Sequence, residues 1–295
     1  RSIRERIEFT FHVAIRMVRP YRRVCRGVRR PWRRRLRPMT TALVTGATAG
    51  IGKEFAIQLA ARGHDLVLVA RDVERLEELA AELRGQRGVQ VEILPADLSD
   101  AAATRRVADR LADENAPVEI LVSNAGFGMK KSFLVNDLEA EEGMLDVLVR
   151  AVLVLSHAAG RAMKARGHGQ IINVSSVAGW LASGTYSAAK SWVTVFSEGL
   201  AGELAGSGVT VTALCPGFVR TEFHARAKIR DDAFPDAMWL DAPTLVRDCL
   251  ADVEAGKVIS VPSVTYKALS TLLKVVPRRF VRSGGVVTRH RPLAR

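Results

Sequence analysis

From Met39 to Pro262, short runs of β-branched and aliphatic residues alternate with amphipathic stretches, and this alternation constrains the fold more than any other feature. The runs are ALVT (42–45), LVLVA (66–70), VEIL (91–94), EILVS (119–123), QIINVSS (170–176), VTVTALC (209–215) and KVISV (257–261). Helical periodicity fills the gaps near 50–62, 72–85, 100–115, 137–166, 184–206 and 241–254. Strands that alternate with helices pair in parallel, and helices cover both faces of the sheet; several runs are apolar throughout, as doubly covered strands require. The pattern predicts an α/β, doubly wound Rossmann-type sheet of about seven parallel strands in a single domain. Ligands of such sheets bind at the carboxyl ends of the strands, so reactive residues are expected just after them.

Charge divides the chain differently. The net charge is +13, but residues 1–38 hold 14 Arg and two acids, and residues 263–295 hold eight Lys or Arg and no acid. The stretch 39–262 is left at −7. The reading is an Arg-rich extension (1–38), disordered or not native, a Rossmann domain (39–262) and a basic amphipathic tail (263–295). A mildly acidic body argues against nucleic acid as the partner, because phosphate binding needs a basic face on the folded surface. Cys25, Cys215 and Cys249 have neither zinc-knuckle spacing nor an even count, so they read as free thiols of a reducing compartment. No apolar run is expected to reach the ~18 residues of a membrane span, and the N-terminus has no secretory h-region. A cytoplasmic location follows as the expectation, and no metal is assigned.

The first strand runs into Gly46-Ala47-Thr48-Ala49-Gly50-Ile51-Gly52 and then into a helix. Glycines there allow a sharp turn and let a pyrophosphate approach backbone N–H groups at the positive end of the helix. A Walker P-loop needs Gly at Ala47 and Ser or Thr at Glu54, and both are missing. The second strand ends in Ala70-Arg71-Asp72. A carboxylate in the place of Ala70 would bind a ribose 2′-hydroxyl, whereas Arg71 offers a guanidinium to a 2′-phosphate, with Thr48 adding a hydroxyl. NADP(H) is therefore expected over NAD(H), with Asp72 as the counter-indication. Asp97-Leu98 follows the third strand and Asn124-Ala125-Gly126 the fourth. Asp97 is placed to accept from an adenine amino group, and the small residues let backbone pass close to the cofactor; each also reads as a cap or turn.

Ser175-Ser176 ends the fifth strand, and Tyr186-Ser187-Ala188-Ala189-Lys190 opens the next helix. Tyr and Lys at i, i+4 share one helix face, so the ammonium is expected to favour the ionised phenol and bring its pKa towards working pH, as a general acid/base requires. A serine hydroxyl from the strand end would hold the reacting oxygen. The overlapping Ser187-x-x-Lys190 pattern lacks the Ser-Asp-Asn and Lys-Thr-Gly elements of penicillin-recognising acyltransferases.

With these motifs in this order, residues 40–262 resemble the short-chain dehydrogenase/reductase family, of its NADP-preferring type. The resemblance implies that Tyr186 is the acid/base, that Lys190 tunes it and binds the nicotinamide ribose, and that Ser176 orients the substrate oxygen. It further implies that Pro216, Gly217, Val219 and Thr221 contact the nicotinamide end, and that the protein is a homo-oligomer. Two features depart from the family pattern. Leu148 stands where an Asn usually anchors a proton-relay water, and Ser176 precedes Tyr186 by ten residues rather than about thirteen, which bears on the choice of Ser176 over Ser175.

Beyond Thr221 lie Glu222, Phe223, His224, Phe234, Met238 and Trp239. This segment is expected to cover the substrate and to favour an apolar, even lipid-like, ketone or secondary alcohol. In the tail, Leu269, Leu272, Leu273 and Val276 fall on one helical face, suited either to packing on the body or to peripheral contact with an anionic membrane. The expected activity is hydride transfer between NADP(H) and a carbonyl/alcohol pair. The alternative is a nucleotide-binding regulatory or membrane-surface protein with weak catalysis.

Overall fold

A computed structural model describes residues 40–129, 132–221 and 238–275. Seven parallel strands form one sheet in the order β3-β2-β1-β4-β5-β6-β9. They are β1 (Thr41–Thr45), β2 (Asp65–Ala70), β3 (Val91–Pro95), β4 (Val118–Ser123), β5 (Gly169–Val174), β6 (Val209–Leu214) and β9 (Ile259–Ser260). The order reverses between β1 and β4, which opens the crevice where such sheets bind ligands. A small parallel pair, β7 (Phe218–Val219) with β8 (Trp239–Leu240), lies outside the expected pattern, because two-residue strands leave no periodic signal.

The apolar runs serve two cores at once. Ala42, Val44, Leu66 and Leu68 point to one face, with Phe55, Leu59, Leu76 and Leu83 of helices Gly50–Ala61 and Val73–Arg87. Leu43, Val67 and Val69 point to the other, with Val107 and Leu111 of helix Ala101–Ala112 and Leu155 and Met163 of helix Ala151–Arg166. Successive strand residues face opposite ways, so a strand covered on both sides must be apolar at every position.

Helices Val73–Arg87, Ala101–Ala112 and Ala242–Glu254 start on aspartates. Asp72, Asp100 and Asp241 accept from the backbone N–H groups of Arg75, Ala103 and Thr244, satisfying donors that the helix leaves open. Helix Gly50–Ala61 starts on Ala49, has no side-chain cap and carries no acid in its first turn.

The stretch 137–166, expected as one helix, contains a five-residue π segment, Asp146–Arg150, between α-helices Leu138–Leu145 and Ala151–Arg166. The whole stretch Leu138–Arg166 is long and apolar enough to cross a membrane by length and composition, which corrects the expectation that no run approaches that length. Half of it is buried in the body, where Ala151, Leu155, Ala159 and Met163 pack into the second core, so it serves as a core helix. Past Pro262, helix Val264–Val275 docks on the body: Tyr266 is buried against Val261 and Cys215, and Leu269 packs beside it. Residues 1–38 and Val276 lie outside the described residues, as do the side chains of Leu272 and Leu273. Cys215 and Cys249 are buried thiols outside any disulfide; Cys25 lies outside the described residues.

Candidate active site

The glycine turn sits at the reversal of strand order, held from both sides. Gly46 is left-handed (φ +65°) and its N–H donates to Val69 of β2 at 2.8 Å. Gly50 is left-handed as well (φ +52°), and Ile51 behind it packs on the first core. A Cβ at Gly52 would lie 2.2 Å from the Gly46 carbonyl oxygen and 2.3 Å from Asn124 Nδ2, so the start of the helix can approach the turn only with glycine there. Asn124 fastens the turn from the β4 side. Its Nδ2 donates to the carbonyls of Thr45 (2.9 Å) and Gly46 (3.3 Å), and the N–H groups of Asn124 and Ala125 donate to Thr45 Oγ1 at 2.9 and 3.0 Å. The Asn124 side chain is thus spent on shaping the cradle. Thr45, invisible as a site residue in the sequence, is the hub of this staple.

Arg71 and Asp97 stand beside the turn, at the ends of β2 and β3. Arg71 is 73% exposed, with Nη1 3.8 Å from Asp97 Oδ2. Asp97 Oδ1 accepts from Ser99 N (2.9 Å) and Ser99 Oγ (2.7 Å). Those two bonds, aided by Arg71, hold the Asp97 carboxyl below the usual carboxylate range. Thr48 lines a polar recess with Lys53, Arg75, Glu78 and Glu82. Leu98 is buried in the second core, and its carbonyl accepts from Thr104 Oγ1.

At the ends of β5 and β6 the side chains take over. Ser175 is buried; its Oγ donates to the Lys190 carbonyl at 2.6 Å and meets Thr194 Oγ1 at 2.7 Å. Ser176 is half-buried and hydrogen-bonded to the Tyr186 phenol, and its Oγ also accepts from Ala178 N at 3.1 Å. The structure therefore brings Ser176, not Ser175, to Tyr186. The ten-residue interval closes through a 3-10 turn, Val177–Trp180, that lies directly on the tyrosine helix, Gly184–Glu203. A Cβ at Gly179 would lie 2.9 Å from the carbonyl carbon of Lys190, so this turn seats only with glycine.

Lys190 is 5% exposed; its Nζ donates to the Val174 carbonyl at 2.7 Å and lies 5.8 Å from the centre of the Tyr186 ring. Burial pulls Lys190 down to about 8. Burial also pushes the half-buried Tyr186 up to about 12, with the Ser176 bond pulling the other way. The direction is opposite to the one expected for the phenol, because desolvation of the phenolate by burial is the larger cause and only the Ser176 bond opposes it.

Gly126 joins the two halves of the site, for a Cβ there would be 3.8 Å from Lys190 Nζ and 2.8 Å from Leu148 Cδ2. Leu148 is fully buried in the π segment, packed with Met144, Ala189 and Tyr186. Beyond β6, the Pro216 carbonyl accepts from Val177 N at 3.0 Å and Val219 is buried. Thr221 lies against Gly50, whose Cβ would be 3.1 Å from that of the threonine. Gly217 is overlain by the Tyr266 ring, 2.0 Å from where a Cβ would stand. Tyr266 Oη accepts from Phe218 N (3.1 Å) and donates to the Met238 carbonyl (2.8 Å). Of the segment expected over the substrate, residues 222–237 lie outside the described residues. Met238 and Trp239 pack in the body, the latter against Phe218 and Arg220.

A small, partly open cleft lies beside Tyr186, walled by Met129, Phe133 and Met144, with Glu141 and Thr185. Glu141 carried no signal in the sequence, since one acid among several at a helix start reads as solvated.

The sequence profile of the short chain dehydrogenase family matches residues 40–232. Galactitol 2-dehydrogenase (L-tagatose-forming) of Cereibacter sphaeroides is 36% identical over 211 residues, 70% of this chain and 81% of that protein. A short-chain dehydrogenase from Sphingobium yanoikuyae, solved in complex with NADPH, superposes with a TM-score of 0.73 at 35% identity, covering 81% of this chain and 97% of that one. The bulky-bulky ketone specific alcohol dehydrogenase from Comamonas testosteroni superposes with a TM-score of 0.69 at 28% identity, covering 81% and 96%.

Proposed function

The chain belongs to the short-chain dehydrogenase/reductase family, and from that premise we propose an NADP(H)-dependent oxidoreductase that interconverts a largely apolar ketone and its secondary alcohol, with Tyr186 as acid/base. The observation that carries the reading is the meeting of Ser176, Tyr186 and Lys190 at the end of β5, next to the glycine turn at the reversal of strand order. NADPH bound to the Sphingobium relative and the ketone named for the Comamonas one support the cofactor and the substrate class.

The residues present fit the cofactor. The uncapped start of helix Gly50–Ala61 leaves its N–H groups open to a pyrophosphate, and the glycines leave the room that side chains would fill. Gly46, Thr48, Ala49, Gly50, Ile51 and Gly52 would hold the phosphates, Arg71 the 2′-phosphate, and Asp97 and Leu98 the adenine. Ala125, Gly126, Lys190, Pro216, Gly217, Val219 and Thr221 would line the nicotinamide half, with Asn124 shaping the turn. When bound, NADPH supplies the hydride. Tyr186 Oη gives its proton to the carbonyl oxygen, Ser176 Oγ donates a hydrogen bond to that oxygen, and Lys190 offsets the charge left on the phenolate. With Leu148 filling the place beside Tyr186, the phenol recovers its proton by way of the cleft that the half-buried tyrosine lines.

The activity is assigned to residues 39–262 with the helix that carries Tyr266. A homo-oligomer is supported by the exposed Leu134, Leu153 and Val195, and a cytoplasmic setting by the reduced, buried thiols of Cys215 and Cys249. Leu148 favours one second reading, a nucleotide binder with weak catalysis. NADPH oxidation over a panel of ketones separates the two. Tyr186→Phe is expected to lower kcat by ~10²–10⁴-fold while NADPH binding persists; equal rates in the variant would remove Tyr186 from the mechanism, and absence of turnover in the parent protein would favour the second reading.

A further inference from the structure

Glu141 is the residue of the cleft for which the reaction above has no use. It lies in the first turn of helix Leu138–Leu145, is 4% exposed, and lines the same cleft as Tyr186. Its Oε1 accepts from Asn136 Nδ2 at 2.5 Å. Its Oε2 is shut off from solvent and has no hydrogen-bond partner, the one carboxyl oxygen in that state among the described residues. A buried acceptor left unmade costs free energy that a hydrophobic side chain of similar size would not. The helix start and Asn136 account for one oxygen only. Around the cleft stand Met129, Phe133 and Met144, which donate no hydrogen bond, together with Thr185 and Tyr186, whose hydroxyls make none to this oxygen.

Resting on the reading of Tyr186 as acid/base, we propose that Glu141 is a specificity-determining residue that receives a hydroxyl group of the substrate, so that the ketone reduced is a hydroxyketone with an apolar body. The small cleft places that hydroxyl within a few bonds of the reacting carbon. A hydroxyl suits the site better than an ammonium, because it donates to this oxygen without bringing a charge of its own into the apolar wall. A site built to bond a substrate hydroxyl also rejects the analogue that lacks it, since the acceptor is then left buried and unmade.

The test compares kcat/KM, with NADPH, within pairs that differ only in the hydroxyl: 1-hydroxy-2-butanone against 2-butanone, and 4-hydroxycyclohexanone against cyclohexanone. The parent protein is expected to prefer the hydroxylated member of at least one pair by about 10- to 100-fold. In Glu141→Gln, which keeps the Asn136 bond but turns an NH2 group to the cleft, that ratio is expected to collapse towards one; Glu141→Leu should do the same, with melting temperature and NADPH affinity reporting the fold. No preference in the parent, a preference that survives both variants, or stronger selection of 4-aminocyclohexanone would overturn the proposal. Failure to reduce any of these ketones would instead overturn the reading of Tyr186 on which it stands.

Discussion

The two halves of the site are built by different means. On the β1–β4 side the cradle is backbone: Gly46, Gly50 and Gly52 are excluded volumes and left-handed turns, fastened by Thr45 and Asn124. On the β5–β6 side the proposed working groups are side chains drawn from three separate elements: Ser176 after β5, Tyr186 and Lys190 on a helix, and Glu141 across the cleft. A backbone site tolerates almost no change at its glycines and accepts a common ligand. A side-chain site keeps its shape when one group is altered and changes only its chemistry, which suits a family whose members share a cofactor but not a substrate.

That contrast is open to attack at its strongest point. Gly52→Ala puts a methyl group 2.2 Å from the Gly46 carbonyl oxygen. It is expected to destabilise the fold by ~1–3 kcal/mol, as overpacking does, and to abolish measurable NADPH binding. Thermal unfolding and nicotinamide fluorescence report both; a variant with parental affinity would show that the cradle is less rigid than its contacts imply. Arg71→Ala tests the exposed edge of the same half. It should weaken NADPH about tenfold, or ~1.4 kcal/mol, and leave NADH unchanged, because Arg71 is 73% exposed and solvent screens its charge. Equal loss for both nucleotides would move the 2′-phosphate elsewhere, with Lys53 and Arg75 beside Thr48 as the next candidates.

The smallest expected effect sharpens the side-chain half. Lys190 is drawn down to about 8 from 10.5, so its charge is present below pH 8 and lost as pH rises through it, while Tyr186, at about 12, keeps its proton across the same range. Reductive kcat/KM should be level up to pH 8 and decline several-fold above it. A profile that stays level to pH 10 would mean that the charge on Lys190 does not assist the phenol.

Much of this was legible in the chain. The seven strands and five of the six expected helices fall where periodicity places them, the other helix being interrupted by the π segment, since a strand covered on both faces has to be apolar throughout. Other features left no trace. The pair Phe218–Val219 with Trp239–Leu240 is too short for a period, and the π segment that packs Leu148 against Met144, Ala189 and Tyr186 has no periodic signature either. Tyr266, read as part of a basic tail, closes over Gly217 because a glycine 49 residues earlier leaves room for its ring.

The sequence by itself determined the order of strands and helices, the glycine turn and the one-turn spacing of Tyr186 and Lys190, because each depends on residues within one or two turns of chain. Only the tertiary structure decided that Ser176 rather than Ser175 meets the phenol, that the Asn124 amide is spent on Thr45 and Gly46, that burial moves Tyr186 up and Lys190 down, and that Glu141 lines the cleft with an oxygen unbonded. Those outcomes are set by desolvation and by contacts between residues distant in the chain, and both come into being only when the sheet and its helices close on one another.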